Sequence, residues 1–329
     1  MEYAVVIGID HYKQKPLAGA VKDAKAFADW LVEKKLISNP VNNLKFMASE
    51  EVNDIASGME IDRAIEEIIA DARKQPQTEK NRLYFYFSGH GMGITFDNTA
   101  LCLRSWPAWF HHCLSGADYK SWFINNGAFD EILIFLDCCR ENDVTCKPKS
   151  PSPEWQYKMG DRVPDILICN STLFGKLSYE ISVDSNQKRG AFTSFLIDSL
   201  NGGAAPPSKS TITALDLKNH VNTHFESYAQ RNNKDQKGDV YTIGQGGDNI
   251  VICEVQGLTE PYNYEFTFTR TTKIQLIYPD LKQVEKNVTT GQKWKVMLDR
   301  GLHLIKDLQT EEQKTIFNYS KETVSYEQF

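Results

Sequence analysis

The sequence lacks the features that mark several large functional classes. Its seven cysteines include no Cys-x-x-Cys pair, so a structural zinc site has little support. No stretch approaches the roughly 20 apolar residues that a membrane-spanning helix needs. Phosphate binding needs clustered Lys and Arg, and the chain has no such cluster and a net charge of -6. We therefore expect no bound metal, no membrane association and no nucleic-acid partner.

Export signals are also missing from the beginning of the chain. The apolar run Tyr3–Ile7 starts with no basic segment before it and no small-residue cleavage site after it, unlike a signal peptide. An odd number of irregularly spaced cysteines favours free thiols in a reducing compartment. We expect a soluble, cytoplasmic protein.

The chain does contain an alternation of apolar strands and amphipathic helices. Apolar side chains recur at helical spacing over Gly19–Lys35 and Ile61–Arg73. The predicted strands between such segments are continuous apolar runs: 3–9, 44–47, 83–87, 131–136 and 166–169. Continuous runs are typical of a parallel sheet that is buried on both faces. The sequence therefore predicts an α/β fold with a mostly parallel central sheet.

The α/β pattern fades near Cys253, and the rest of the chain is rich in predicted strands. We predict one domain at 1–254 and a small C-terminal all-β domain of sandwich type at 255–329. Residues 141–164 are rich in Pro, Lys and Ser, which predicts a long exposed connection. This linker divides the first domain into parts of about 1–140 and 165–254.

Two polar clusters directly follow two of the predicted strands. Ser-Gly-His-Gly occupies 88–91, and Asp-Cys-Cys-Arg occupies 137–140. The carboxyl ends of parallel strands lie on the same edge of a sheet, so we expect the clusters to meet. An imidazole beside a thiol makes the sulfur a useful nucleophile. The pattern predicts a cysteine peptidase in which His90 acts on a cysteine at 138 or 139.

These motifs resemble those of caspases and metacaspases. Tyr-Phe-Ser-Gly-His-Gly at 86–91 and Asp-Cys-Cys-Arg at 137–140 are similar to the two catalytic motifs, and His90 and Cys139 lie 49 positions apart, near the roughly 50 of caspases. The segments 5–24 and 190–193 are also similar to the family, so the resemblance covers about 1–254. It implies a caspase-like α/β/α sandwich.

The resemblance also implies roles for individual residues. Cys139 corresponds to the nucleophile, because the family's thiol lies two places after the Asp or Gln, and Cys138 corresponds to a buried small residue. His90 would activate the thiol and protonate the leaving amine. The N–H groups of Gly91 and Cys139 would form the oxyanion hole. Arg140 directly follows the proposed nucleophile, as an arginine does in caspases. The alternative interpretation is that Arg140 is only a surface or packing charge.

We expect the peptidase to cleave after basic residues rather than after acidic ones. Asp23, Ser88 and Asp137 match the residues that line the S1 pocket of metacaspases. Two carboxylates select a cationic P1 side chain, best satisfied by arginine and less well by lysine. Without the resemblance, Asp23 would be interpreted as an exposed acid in the first turn of a helix.

The family's calcium site has weak support, and we expect no cofactor. The segment 92–103 offers only Asp97, whereas a hard cation takes six or more oxygen ligands. Glu141 and Asp143 are the remaining candidates near the Cys motif.

Two further segments lack a settled role. The insert 104–119 contains Trp106, Trp109 and Phe110, which suit either a lid over the cleft or simple aromatic packing. Within the linker, Lys158 and Arg162 are the basic sites where we expect self-cleavage, if it occurs.

We thus expect a cysteine endopeptidase that acts on proteins after Arg or Lys. Similar bacterial proteins suggest a regulated effector in signalling or defence, with a regulatory protein partner bound through the β-domain. The alternative is a catalytically silent caspase-like scaffold. A generic α/β binding domain with coincidental motifs is the third reading.

Overall fold

The structure of the protein is a computed structural model. The structure describes residues 1–49, 58–106, 113–142, 146–151, 162–184, 187–206, 209–255, 262–299, 301–318 and 325–329. The chain divides into two compact units. The first unit comprises Met1–Ile197 and Lys218–Ile250, and the second comprises Asp198–Leu217 and Val251–Phe329.

Helices and strands alternate along most of the first 254 residues. In chain order they are β1 (Glu2–Ile9), α1 (Ala20–Glu33), α2 (Pro40–Asn43), β2 (Leu44–Ser49), α3 (Gly58–Ala72), β3 (Arg82–Ser88), β4 (Gly91–Thr95), β5 (Asn98–Cys102), β6 (Cys113–Ser115), α4 (Gly116–Asn125), β7 (Glu131–Asp137), β8 (Asp165–Asn170), β9 (Glu180–Asp184), β10 (Gln187–Gly190), α5 (Ala191–Asp198), β11 (Thr211–Thr213), α6 (Ala214–Arg231), β12 (Asp239–Ile243) and β13 (Val251–Glu254).

A six-stranded sheet in the order β12-β8-β7-β3-β1-β2 forms the centre of the first unit. All neighbouring pairs in it are parallel except β12, which pairs antiparallel with β8. Strands β1, β3, β7 and β8 are apolar and buried on both faces, because helices cover both sides. The predicted α/β class with a mostly parallel central sheet is confirmed.

The side chains of β1 and β3 alternate between two layers. Val5 and Phe85 pack with Ile65 of α3 and Phe123 of α4 in one buried cluster. On the other face, the ring of Phe27 in α1 stacks on Tyr86 of β3 at 4.5 Å and also packs against β7. Helical layers therefore lie on both faces of the sheet, as an α/β/α sandwich requires.

Beyond residue 261 the second unit consists of strands. They are β14 (Tyr264–Thr267), β15 (Thr272–Ile277), β16 (Gln283–Val288), β17 (Lys293–Val296), β18 (Gly301–Asp307), β19 (Gln313–Asn318) and β20 (Ser325–Gln328). They form one sheet in the order β17-β14-β20 and another in the order β16-β15-β18-β19. Buried apolar side chains from both sheets, among them Phe266, Leu276 and Ile305, share one core. These sheets are consistent with the predicted β-rich C-terminus.

The described parts of the predicted connection at 141–164 are of two kinds: Glu141, Lys147 and Val163 are exposed, as predicted, whereas other residues pack against the protein. Cys146 is buried. The main chain of Lys149 exchanges hydrogen bonds with Cys113 and Ser115 of β6, at 2.7 and 2.9 Å. The segment 146–151 thus adds to the small sheet β4-β5-β6, which the sequence did not predict. Within the described ranges, no helix has the length and apolarity to cross a bilayer.

Candidate active site

The two predicted clusters meet at the carboxyl ends of β3 and β7. Ser88 pairs with Asp137 in the last rung of the parallel ladder, so His90 and Cys139 each lie two residues beyond the same rung. A Cβ atom added to Gly91 would lie 2.6 Å from Cys138 Sγ and 2.7 Å from the Cys139 carbonyl oxygen. Only glycine permits this approach of the two turns.

His90 is oriented by the loop that follows β1. Its Nε2 hydrogen bonds to the carbonyl oxygen of Lys15 at 2.7 Å. Lys15 adopts a left-handed φ of 53°, a conformation that is uncommon for a non-glycine residue. The Tyr12 hydroxyl accepts a hydrogen bond from the His90 main-chain N–H at 2.9 Å, and its ring packs 4.5 Å from the imidazole. The ring of Trp106 packs 5.3 Å from the imidazole.

Burial lowers the pKa of His90, although the hydrogen bond to Lys15 opposes this effect. The imidazole is therefore mostly neutral near pH 7. Nε2 donates to a carbonyl, so a neutral ring carries its proton there and leaves Nδ1 as an acceptor.

Cys139 contacts the main chain of Ser178, a residue on the segment before β9. Its Sγ accepts a hydrogen bond from the Ser178 N–H at 3.3 Å and lies 3.5 Å from the Ser178 carbonyl oxygen. Burial raises the pKa of the thiol, and the Ser178 N–H partly offsets that rise. Within the described residues, the Cys139 N–H has no hydrogen-bond acceptor. It is therefore available to a ligand.

Asp137, at the end of β7, holds the beginning of α5. Its Oδ2 accepts hydrogen bonds from the Thr193 N–H at 3.1 Å and the Thr193 hydroxyl at 2.7 Å. Its Oδ1 accepts from the Ser178 hydroxyl at 2.9 Å. Asp137 is buried, and this burial raises its pKa while the hydrogen bonds from Thr193 and Ser178 lower it.

Asp23 belongs to the first turn of α1, but it is only 1% exposed, so the interpretation as an exposed helix acid is wrong. Its Oδ1 pairs with Arg189, and its Oδ2 accepts from the Gly190 N–H at 2.6 Å. Burial and the nearby Asp137 raise the pKa of Asp23, whereas Arg189 lowers it. A Cβ on Gly190 would clash with Asp137 Oδ2 and lie 2.8 Å from Asp23 Oδ2, so both carboxyl groups border this glycine.

These groups face one cavity of about 190 Å³. The predicted residues Asp23, Ser88, His90, Asp137 and Cys139 all line it. The structure thus brings together the predicted nucleophile, the predicted base and the predicted specificity pocket.

The neighbours of Cys139 on the 137–140 motif are both buried. Cys138 is 2% exposed, in agreement with a packing role. Arg140 is also 2% exposed and donates to Asp239 at 2.9 Å and to the Thr99 hydroxyl at 3.1 Å. Arg140 is thus a packing charge that ties the Cys139 turn to β5 and β12, rather than a surface charge.

Of the described residues, those predicted for self-cleavage and for calcium binding do not line this cavity. Arg162 is anchored by Asp130 and donates to the carbonyl oxygens of Glu79 and Pro76 at 2.8 and 3.0 Å. Asp97 accepts from Thr95 at 2.7 Å on an exposed turn, and Glu141 is exposed. Among the described residues, no three His, Cys, Asp or Glu side chains gather as metal ligands. Lys158, Asp143, Trp109 and Phe110 lie outside the described residues.

Sequence reasoning missed several residues of the site. Lys15, Ser178, Glu180 and Arg189 act through contacts 39 to 166 positions apart in the chain. Glu180 Oε1, for example, accepts from the N–H groups of Ala18 and Gly19 at 2.9 and 2.6 Å. The positive φ of Lys15 and the main-chain contacts of Ser178 leave no trace in a single sequence.

Comparison with known proteins agrees with this geometry. The caspase domain, described as peptidase C14, matches residues 1–245. The chain is also similar to a probable protease from a Desulfuromonadales bacterium, with 29% identity over 223 residues. That alignment covers 61% of this chain and 26% of the relative, so the chain spans about a quarter of the relative's length. The chain belongs to the caspase-domain family of peptidases.

Proposed function

We propose that the protein is a cysteine endopeptidase that cleaves proteins after Arg, and less efficiently after Lys. One observation carries this proposal: His90 and Cys139 follow the same rung of the sheet, in a cavity that two buried carboxyl groups also line. The first pair supplies a base and a nucleophile, and the second supplies negative charge for a basic side chain.

The catalytic cycle uses only protein groups and water. His90 Nδ1 takes the proton from Cys139 Sγ, and the sulfur attacks the scissile carbonyl carbon. His90 then gives this proton to the leaving amine, which departs as a thioester forms between substrate and Cys139. Water, deprotonated by His90, hydrolyses the thioester and restores the thiol. The lowered pKa of His90 suits this cycle, because a neutral imidazole is needed to begin it.

The N–H groups of Cys139 and Gly91 are the proposed oxyanion hole. The Cys139 N–H lacks an acceptor in the described part of the chain, and Gly91 lies against the same turn. Donors placed where negative charge develops commonly contribute on the order of 10²–10³ in rate.

The proposed S1 pocket consists of Asp23, Ser88 and Asp137. Arg189 and Gly190 engage Asp23, and Thr193 and Ser178 engage Asp137. Thr193 uses Asp137 Oδ2 twice, but Asp137 Oδ1 and both oxygens of Asp23 each keep a lone pair, and both residues border the cavity. An incoming guanidinium would lower the pKa of both carboxyl groups, and the free energy of this shift favours binding.

The β-rich C-terminal segment is the proposed accessory part of the protein. We propose that 255–329 is a sandwich-like β-domain that binds a regulatory protein, and that the peptidase is a regulated cytoplasmic effector in bacterial signalling or defence. Self-cleavage at Lys158 or Arg162 is part of this proposal. Cleavage after Arg162 would first require its side chain to leave Asp130.

Hydrolysis of peptides with Arg, Lys or Asp at P1 tests the function, with Cys139→Ala and Cys138→Ala as a matched pair. We expect Arg to exceed Lys, Asp to be inert, and only Cys139→Ala to abolish turnover. Assays with calcium and with a chelator test the expected calcium independence. No turnover under any of these conditions would favour the silent scaffold, and cleavage after Asp alone would contradict the proposed S1 pocket.

A further inference from the structure

One lysine borders the cavity without a role in the proposed reaction. Of the described residues that line the cavity, Lys234 alone carries a lysine or arginine side chain. Its Nζ lies 5.2 Å from the centre of the Tyr179 ring, at cation–π distance, and Tyr179 lines the same cavity. Within the described ranges, no carboxylate lies within 4.0 Å of this ammonium group. Among the described residues, the positive charge therefore has an aromatic neighbour but no anionic partner.

The main chain at the end of α6 fixes the position of Lys234. Asn233 adopts a left-handed φ of 57°. The N–H of Lys234 donates to Ala229 and the N–H of Asn233 donates to Gln230, both at 2.9 Å. This is the hydrogen-bond pattern of a Schellman motif, with Asn233 in the position that follows the helix cap. Lys234 is thus placed by a defined turn.

A buried glutamine joins this turn to the segment beside the nucleophile. Gln236 Oε1 accepts from the Tyr179 N–H at 3.0 Å. Its Nε2 donates to the Ser178 hydroxyl at 3.0 Å and to the Ser171 carbonyl at 2.9 Å. The Ser178 N–H in turn donates to Cys139 Sγ, so hydrogen bonds through Gln236 and Ser178 connect Tyr179, the aromatic neighbour of Lys234, to the segment that contacts the sulfur.

We propose that Lys234 and Tyr179 form a second substrate subsite, which takes an acidic side chain of the polypeptide near its basic P1 residue. This inference rests on the proposed function, since it assumes that a peptide occupies the cavity. The three carboxylates in the lining have partners other than Lys234: the N–H groups of Ala18 and Gly19 for Glu180, Arg189 for Asp23, and Thr193 for Asp137. A substrate carboxylate is therefore the complement that the lysine lacks. The preferred substrate carries Asp or Glu close to the cleaved Arg.

Peptides with Arg fixed at P1 test the subsite. Each position from P4 to P2 and at P1′ and P2′ receives Glu, Gln or Lys in turn. We expect wild type to prefer Glu over Gln by about fivefold in kcat/KM at one position, the scale of a partly exposed ion pair. The preference should weaken between 0.05 and 0.5 M salt, because salt screens such pairs.

Two variants with the same charge change separate the subsite from general electrostatics. Lys234→Glu should invert the preference from Glu to Lys at that position. Lys237→Glu, on the same turn, should leave it unchanged, since Lys237 pairs with Glu226 at 3.6 Å and does not line the cavity. If Lys234→Glu has a much lower melting temperature than wild type, Lys234→Gln replaces it in the test. Lys234→Gln should abolish the preference for Glu without inverting it.

Equal Glu and Gln rates at every position in wild type would overturn the subsite while leaving the peptidase intact. So would identical profiles for Lys234→Glu and Lys237→Glu. Failure of wild type to cleave any Arg or Lys peptide would instead overturn the proposed function, and the subsite with it.

Discussion

In the part of the chain that the structure describes, the side chains of His90 and Cys139 make few hydrogen bonds, whereas those of Asp23 and Asp137, in the same cavity, use both carboxylate oxygens. Among the described residues, the hydrogen bonds of the Cys139 thiol go only to the main chain of Ser178, and that of the His90 imidazole goes only to the Lys15 carbonyl. Asp137 accepts hydrogen bonds from Thr193 and Ser178 through both of its oxygens. Asp23 uses both of its oxygens as well.

This difference indicates that His90 and Cys139 serve the reaction, whereas Asp23 and Asp137 also serve the fold. A catalytic side chain must change its protonation state and bond to a substrate. Many hydrogen-bond partners would hinder this, because each hydrogen bond stabilises one protonation state of the group. The two acids instead tie α1 and β7 to the turn between β10 and α5, so they organise the fold as well as the cavity. We therefore expect changes to His90 and Cys139 to affect activity alone, and changes to the acids to affect both activity and stability.

The largest expected effect follows from removal of the imidazole. His90→Ala should lower kcat/KM for an Arg peptide by about 10²–10⁴-fold, the range of general acid–base catalysis. The melting temperature should fall only slightly, because the described contacts of the side chain are one hydrogen bond and its packing on the rings of Tyr12 and Trp106. His11→Ala, on the loop after β1 that also carries Lys15, is the control for loss of a histidine near the site and should retain activity. Wild-type rates in His90→Ala would remove His90 from the mechanism.

A smaller effect on activity, joined to a loss of stability, is expected at Asp137. Asp137→Asn removes one negative charge and places an amide against donors, so kcat/KM for Arg peptides should fall about 10²-fold. The free energy of unfolding should fall by about 1–3 kcal/mol, measured by urea denaturation. Asp29→Asn is the control, since Asp29 is exposed and pairs with Lys25. Unchanged Arg kinetics would refute the S1 role and leave only the structural one.

The smallest effect concerns pH. Peptides with Arg and with citrulline, its neutral analogue, should both lose kcat/KM in acid, because His90 must be neutral. The lowered pKa of His90 puts this loss below the usual value of about 6.5.

The ratio of kcat/KM for the Arg peptide to that for the citrulline peptide shows whether Asp23 and Asp137 are ionised. Since the pKa values of Asp23 and Asp137 are raised, these groups become protonated at a higher pH than an ordinary carboxyl group. The Arg/citrulline ratio should therefore begin to fall above the usual value of about 3.9. A ratio that is constant across the acidic range would mean that neither carboxylate senses the P1 charge.

Local patterns predicted the central part of the fold. The apolar runs that became β1, β3 and β7 and the helical spacing in α1 and α3 are short-range signals, and the structure has those elements within a few residues. The small sheet β4-β5-β6 and helix α6 were not predicted. Strands β4 to β6 are short and mixed in composition, and pairing partners rather than periodicity define them.

The sequence by itself determined the class of the fold, the two polar motifs and their place at strand ends, because each depends on neighbouring residues in the chain. Only the tertiary structure decided how Asp23 is used. Its contact with Arg189 joins residues 166 positions apart and turns an apparent surface acid into a buried one. The same holds for the Lys15 carbonyl at His90 and for Lys234 beside Tyr179. Such contacts form because packed helices and strands bring residues together that are far apart in the sequence. No local sequence pattern shows which of these residues will meet.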